Sequence, residues 1–295
     1  MTNSEKIRRK ALSLGFDLCG IARCRSLERQ YDRFKNWLAD GCDGGLEYLR
    51  RNTGKRFDPG ALCEGARSVI VCGVGYHRPP SAHEVASRIA SYAHSRDYHL
   101  TIRERLNELS AYLRELVPGA SGRVFTDTAP LAEKSWAVEA GLGWIGRNSL
   151  LANPRLGSFL LLGEVVTTAE LEPDAPFVRD GCGTCRACVD ACPVAAIRPD
   201  RRSTARLMKC CTSSSRWVER ITWLFGCDVC QRACPYNRKA PVSVHDSFAP
   251  LAELERLDVD DWLGLDEAGF RRIFGETPLA RCGLRRLQER IRRLK

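Results

Sequence analysis

The feature that most constrains this chain is a cysteine run, Cys182-Gly-Thr-Cys185-Arg-Ala-Cys188-Val-Asp-Ala-Cys192-Pro193. Two-residue gaps let one tight loop present three thiolates to one face of an iron–sulfur cube. In the two-cluster bacterial pattern the fourth cysteine, followed by proline, ligates the other cube. A second run, Cys227-Asp-Val-Cys230-Gln-Arg-Ala-Cys234-Pro235, ends in the same way but lacks its first member locally. Either Cys210 or Cys211 must supply it. The spacing assigns Cys182, Cys185, Cys188 and Cys234 to one [4Fe–4S] cluster, and Cys192, Cys227 and Cys230 with one of that pair to a second. Paired C-x2-C units also build zinc sites, but two runs ending in C-x3-C-P are a cluster pattern.

Nine of the fifteen cysteines lie between residues 182 and 234. In a small secreted chain so many would form a disulfide framework, but this chain has 295 residues and its start, MTNSEKIRRKALSLGFDL, reads as an amphipathic helix and not a secretory signal. No apolar run approaches the roughly 20 residues a membrane-spanning helix needs. Together these place the protein in the cytoplasm, without a membrane partner. Cys19, Cys24, Cys42, Cys63, Cys72 and Cys282 have no ligand spacing and read as small buried hydrophobes. The formal charge is +10, and from Arg271 to Lys295 nine basic residues face two acidic ones. A basic end of this kind suits a polyanion such as RNA.

Periodicity divides the rest. Residues 1–50 read as helical segments joined by short loops, with a glycine stop closing the helix over 31–41. SVIVCGVGY (68–76) and FLLLGEVVTT (159–168) read as buried strands, and GRVF (122–125) as a short strand opening into a loop. Residues 99–116 form an amphipathic helix, and 131–143 another. Strands alternating with helices predict an α/β layer architecture over residues 1–175. The proline-rich stretch at 172–181 marks a boundary. A ferredoxin-like two-cluster domain is predicted for 176–245, and a short helical, basic C-terminus for 246–295.

Taken in order, SYAHSRDYH (91–99), DTAPLAEKSWAVEAGLGWIGRNSLL (127–151), the first cysteine run, KCCT (209–212) and GCDVCQRACPYN (226–237) resemble the epoxyqueuosine reductase family. These are cobalamin-dependent iron–sulfur enzymes of tRNA queuosine biosynthesis, related to reductive dehalogenases, and the likeness runs from residue 1 to about 285. The resemblance implies a cobalamin-binding N-terminal domain that receives electrons through the two clusters. It implies reduction of epoxyqueuosine to queuosine at the wobble position of the tRNA anticodon stem-loop. It makes Asp127 the proton donor and a cofactor contact, and adds Arg56, Asn148, Ser149, Leu151, Thr212 and Asp228 as cofactor-binding residues. Asp97, Tyr98 and His99 become pocket residues, and Cys210 is preferred over Cys211. An external electron donor of the flavodoxin or ferredoxin kind and a monomeric state complete the expectation. No D-x-H-x-x-G stretch occurs, so a corrinoid is expected to bind without a protein histidine on cobalt.

The chemistry is coherent without the resemblance, because removing an epoxide oxygen requires electrons and an acid beside their source. Taken alone, Asp127-Thr-Ala-Pro130 is also good turn chemistry. Two stretches depart from the family pattern. GETPLARCGLRRLQERIRRLK (275–295) resembles the opening of a helical-repeat domain, and TSSSRWVER (212–220) differs from the usual sequence there. Both bear on how tRNA is gripped, a task the basic terminal helix could share through phosphate contacts. Two alternatives compete: a cobalamin-dependent reductase of a small molecule, and a ferredoxin-like electron carrier. A simple carrier leaves the α/β region without a task.

Overall fold

β-branched residues at 68–75 and 160–167 build the middle of a four-stranded sheet in the computed structural model, which describes residues 1–198 and 222–293. Cys210, Cys211 and Thr212 lie outside the described residues. The strands are β1 (Leu18–Arg23), β2 (Ser68–Gly75), β3 (Gly122–Phe125) and β6 (Leu160–Thr167), in the order β1-β2-β6-β3. β4 (Trp144–Ile145) and β5 (Leu151–Ala152) form a separate hairpin. Helices α1 (Asn3–Ser13), α2 (Glu28–Ala39), α3 (Tyr98–Leu116) and α4 (Glu133–Glu139) alternate with the strands. Every neighbouring pair in the main sheet is nevertheless antiparallel.

The alternation along β6 sets the layers. Leu161 and Val165 face a core with Ile7 of α1 and Ile102, Leu106 and Leu109 of α3. Leu162 and Val166 face the opposite core, with Trp136 and Ala137 of α4. Successive strand residues point to opposite faces, so Glu164 shares the α4 side. Gly163 lets α3 lie close: a Cβ there would sit 2.6 Å from Ile102 and 2.7 Å from Leu106.

β1 falls where the sequence pattern suggested helices and loops. Its six residues, LCGIAR, carry one β-branched side chain and a glycine. That glycine is structural, since a Cβ on Gly20 would meet the Ala140 carbonyl at 2.1 Å. Tertiary packing, not strand propensity, makes this edge.

The junction after β6 is tied back by Asp174, which accepts two hydrogen bonds from Arg8 (2.8 and 3.2 Å) and one from the Ile21 amide (2.8 Å). Beyond it, α5 (Ala187–Asp190), α6 (Val229–Arg232) and α7 (Pro235–Arg238) are single turns among the cysteines. The C-terminal part contains α8 (Val259–Gly264), α9 (Glu267–Phe274) and α10 (Leu284–Arg292). The first begins late because Asp258 takes the N-cap, with Asp261 closing a capping box.

These last helices share a core with residues from other regions. Trp262, Phe274, Leu279, Leu287 and Ile291 pack with Val85, Ile89, Leu224 and Phe225. Backbone bonds from Ala90 to Phe225 and from Leu224 to Arg88 join the same segments. On α10, Leu284, Leu287 and Ile291 face inward while Arg285, Arg286 and Arg292 are exposed. Arg290 is buried and donates to the Leu224 carbonyl, so one of the basic residues in this segment serves the fold. Among the described residues no helix is long and apolar enough to cross a membrane.

Candidate active site and cluster cradles

Asp127 follows β3 at a turn. Thr126 anchors the approach by donating to the Leu162 carbonyl at 3.1 Å, and Asp127 then adopts φ +48°. Aspartate tolerates this left-handed conformation better than most residues. Its Oδ2 accepts from the Tyr98 hydroxyl at 2.8 Å and lies 3.7 Å from His99 Nε2. The Asp127 side chain is 63% exposed and that of His99 only 13%. One acidic group therefore faces solvent with an imidazole behind it.

The imidazole is held from the other side. Asp97 caps α3 by accepting from the His99 amide (3.1 Å), and it binds His99 Nδ1 at 2.7 Å. Asp97 also accepts from Arg281, brought by the C-terminal segment. Burial works against the Asp97 charge, yet the bonds from His99 and Arg281 outweigh it and hold the carboxyl at about 2. Burial likewise disfavours a charged His99, but the two flanking carboxylates raise it to about 9. An Arg281 nitrogen comes within 2.8 Å of His99 Nδ1. Both groups are cationic near neutral pH, so Asp97 is what holds the trio together.

Desolvation also works against the charge on Asp127, and the nearby His99 with the hydrogen bond from Tyr98 outweighs it, leaving it below the usual carboxylate range. At rest the mobile proton therefore resides on His99. Burial, and then the Asp127 charge, push the Tyr98 hydroxyl far upward, so it acts as a fixed donor.

Around this centre the expected cofactor contacts fall into three groups. Arg56 donates to the Tyr48 carbonyl at 3.0 Å, and its own carbonyl accepts from Ala132. Its buried Nε has no partner among the described residues, and burial lowers the guanidinium pKa. Asn148 and Ser149 form the turn of the β4–β5 hairpin, where Ser149 has φ +61° and Asn148 Oδ1 accepts from Leu150. The Ser149 carbonyl accepts from Lys134 of α4 at 2.7 Å, which ties that turn to the Asp127 side of the pocket. The Leu151 side chain is buried in the α4 core, leaving its backbone as the available contact. Asp228 is 1% exposed and accepts from both the Ser91 amide (2.8 Å) and hydroxyl (2.7 Å). Its side chain is committed to holding residues 91 and 228 together.

The cysteines form adjoining cradles. One cavity is lined by Cys182, Cys185, Cys188 and Cys234, with Trp144 and Tyr236 as aromatic walls. These are the four ligands that the spacing assigns to one cube, including the one borrowed from the second run. The Trp144 indole donates to Cys182 Sγ at 3.4 Å, a contact that would persist to a cluster-bound thiolate. Burial first, and then neighbouring Asp228 and Cys192, push the Cys227 thiol up to about 11. Burial first, then Cys227 and Asp228, and more weakly Cys188 and Cys192, push Cys230 up to about 12. Cys192, Cys227 and Cys230 thus lie near one another beside that cavity. Thiols crowded this way would release their protons to solvent as the thiolates bind iron on cluster assembly.

A buried amide network fastens the cradles to the sheet domain. Asn237 Nδ2 donates to Ser158 Oγ (2.9 Å) and to the Gln231 carbonyl (2.6 Å), while its Oδ1 accepts from the Ser158 amide (2.6 Å). Gln231 Nε2 returns a bond to the Ser158 carbonyl at 2.8 Å. Arg281, Lys134 and Gln231 were not singled out by sequence. Arg281 and Lys134 are ordinary surface types whose partners lie far along the chain, and only the Gln within C-x2-C-Gln-x2-C-P carried a local cue.

A solvent-facing acid backed by an imidazolium, beside paired cysteine cradles, defines an iron–sulfur oxidoreductase. Comparison with known proteins makes the class specific. Residues 56–128 match the family described as epoxyqueuosine reductase QueG, DUF1730, and residues 181–237 match a 4Fe-4S double cluster binding domain. An epoxyqueuosine reductase of Cyclobacterium marinum is 36% identical over 98% of this chain and 96% of its own length. One from Leadbetterella byssophila is 34% identical, with 98% and 97% covered. The solved epoxyqueuosine reductase of Streptococcus thermophilus superposes with a TM-score of 0.86 at 26% identity, covering 99% of this chain and 80% of that one. A crystal structure of epoxyqueuosine reductase with a tRNA-Tyr epoxyqueuosine-modified stem loop matches at a TM-score of 0.85 and 26% identity, covering 97% and 79%. The chain belongs to the epoxyqueuosine reductase family.

Proposed function

We propose that this chain reduces epoxyqueuosine to queuosine in the anticodon stem-loop of tRNA, in the cytoplasm, with Asp127 as the proton donor. The observation that carries the reading is the exposed Asp127 carboxylate with the His99 imidazolium 3.7 Å behind it, in a family whose members act on this epoxide. Converting an epoxide to an alkene takes two electrons and two protons and releases water. His99 passes its proton to the Asp127 carboxylate before each transfer and is recharged from solvent, Asp97 keeps the imidazole charged while Arg281 steadies Asp97, and Tyr98 holds the Asp127 carboxylate in place.

Cobalamin is the electron-delivering cofactor in this reading, supplying a strongly reducing cobalt centre to the epoxide. Arg56, with its unpartnered buried Nε, fits an acceptor such as a corrin amide carbonyl. The Asn148–Ser149 turn, the Leu151 backbone and the exposed Asp127 provide further contacts, and Asp228 acts only by supporting the wall. Thr212 and the eighth cluster ligand, Cys210, belong to the same proposal. Electrons enter from a flavodoxin- or ferredoxin-type donor and pass through the cluster pair, and the enzyme works as a monomer. Exposed Arg285, Arg286 and Arg292 on α10 add salt-dependent phosphate contacts.

The test is anaerobic reconstitution with iron, sulfide and cobalamin, followed by an assay on tRNA carrying the epoxide. Queuosine formation is expected. Failure to bind any corrinoid while both clusters are intact would overturn the reading.

A further inference from the structure

Glu164 sits in the middle of β6, opposite Val71 of β2 and Phe125 of β3, with no exposed surface. Neither of its carboxyl oxygens meets a hydrogen-bond donor among the described residues. An ionised carboxylate buried in this way costs on the order of several kcal/mol, so Glu164 holds a proton. A buried carboxylic acid then needs an acceptor. The one in contact with it is the side chain of Glu133, the first residue of α4. Glu133 Oε1 in turn accepts the backbone N–H of Asp127. A continuous chain therefore runs from the centre of the sheet, through two carboxyl groups, to the left-handed turn that presents the proton donor.

We propose that Glu133 and Glu164 share one proton and together form a latch that positions Asp127. With the proton in place, the two carboxyls bind each other and Glu133 holds the Asp127 amide. Loss of the proton sets two negative charges against each other. Glu164 cannot leave the strand, so Glu133 swings away and the Asp127 turn loses its anchor. The inference rests on the proposed role of Asp127 and adds to it two residues that touch neither substrate nor cofactor.

The surroundings support this. Asp127 and Lys134 lie beside Glu133, Tyr98 faces it from α3, and Cys72 of β2 lies near Glu164. Lys134 favours an ionised Glu133, but its ammonium is bonded to the Ser149 carbonyl. His99 charges the far side of Asp127. Burial, and then the Asp127 charge, raise Glu133 to about 7, and burial and Glu133 raise Glu164 further. The shared proton, on Glu164, is therefore the last to leave, and the latch opens as pH rises above neutrality into the alkaline range.

Hydrogen exchange of the peptide spanning Asp127, corrected for the intrinsic effect of pH, tests this on the cluster-loaded enzyme without substrate. In the native chain, protection is expected to hold through neutrality and to fall as pH rises into the alkaline range. In Glu164→Gln, whose amide donates at every pH, protection should be constant, and the infrared carbonyl band of a buried carboxylic acid should vanish. Glu133→Ala should lose protection at all pH values and lower kcat about ten-fold or more with little change in KM. Glu133→Gln should restore both. Native pH dependence persisting in Glu164→Gln, or protection surviving in Glu133→Ala, would overturn the latch. Should Glu133→Ala not fold, the two Gln variants decide alone. Exchange and infrared readouts need no epoxide, so they judge the latch even if the enzyme proves inactive on tRNA.

Discussion

The acid pocket and the cluster cradles are built on opposite principles. The described cradle cysteines come from two short runs, 182–192 and 227–234, and within each run neighbouring thiols are separated by two or three residues. The pocket draws Asp97 and His99 from the start of α3, Asp127 from the end of β3 and Arg281 from the C-terminal segment. A cube needs close, repetitive donors, which a local loop supplies. A proton donor needs charges of opposite sign balanced around one atom, which only the assembled fold supplies. Cradle and pocket should therefore fail separately.

The sharpest way to break that comparison is Asp127→Ala. Turnover should fall by about 10²–10⁴-fold, with iron content and the cluster electron-paramagnetic signals unchanged. Loss of iron in this variant would show that the two regions are not independent. Asn237→Ala should do the reverse. It strips partners from Ser158 and Gln231 in a buried network, costing about 1–3 kcal/mol by the usual penalty for an unsatisfied group. Thermal unfolding of the cluster-loaded protein should register that loss, while the pH profile of turnover stays native. Arg281→Leu should lower turnover by roughly ten-fold, as expected for losing one charge-assisted bond to Asp97. Its mark is an alkaline limb of the pH profile moved to higher pH, because the cation that lowers the His99 pKa is gone, at constant iron content.

The smallest effect is in stability against pH. His99 stands at about 9 in the folded protein, above its ordinary value near 6.5. Its contribution is complete below about 6.5 and is lost as pH rises through about 9. Asp97 shows the same pairing from the acid side. Its carboxyl is lowered to about 2, so its contribution is present above about 3.9 and disappears as pH falls through about 2. Chemical denaturation across pH should show both slopes in the native chain, and His99→Gln should flatten the alkaline one.

The same contrast explains what the sequence disclosed. Cys182 to Cys188 and Cys234 could be grouped from spacing because ligand geometry is local, and the cavity they line groups the same four. The central strands were legible as β-branched runs, and Asp127 through the resemblance of its surroundings. β1 was not, because LCGIAR owes its strand to a close approach by α4. Nor was the Glu133–Glu164 contact: one residue opens a helix and the other interrupts an apolar strand, and nothing in either stretch names the partner. The unassigned cysteines divide, with Cys42, Cys63, Cys72 and Cys282 buried and Cys19 and Cys24 partly exposed.

Arg281 also gives the protein a direction in time. Synthesis proceeds from the N-terminus, so the sheet, Asp127 and the 4Fe-4S binding domain over residues 181–237 emerge from the ribosome before residue 281 does. A nascent chain can begin collecting iron and sulfide while Asp97 still lacks its guanidinium partner. The salt bridge that steadies Asp97 against His99 is among the last things the growing polypeptide can complete.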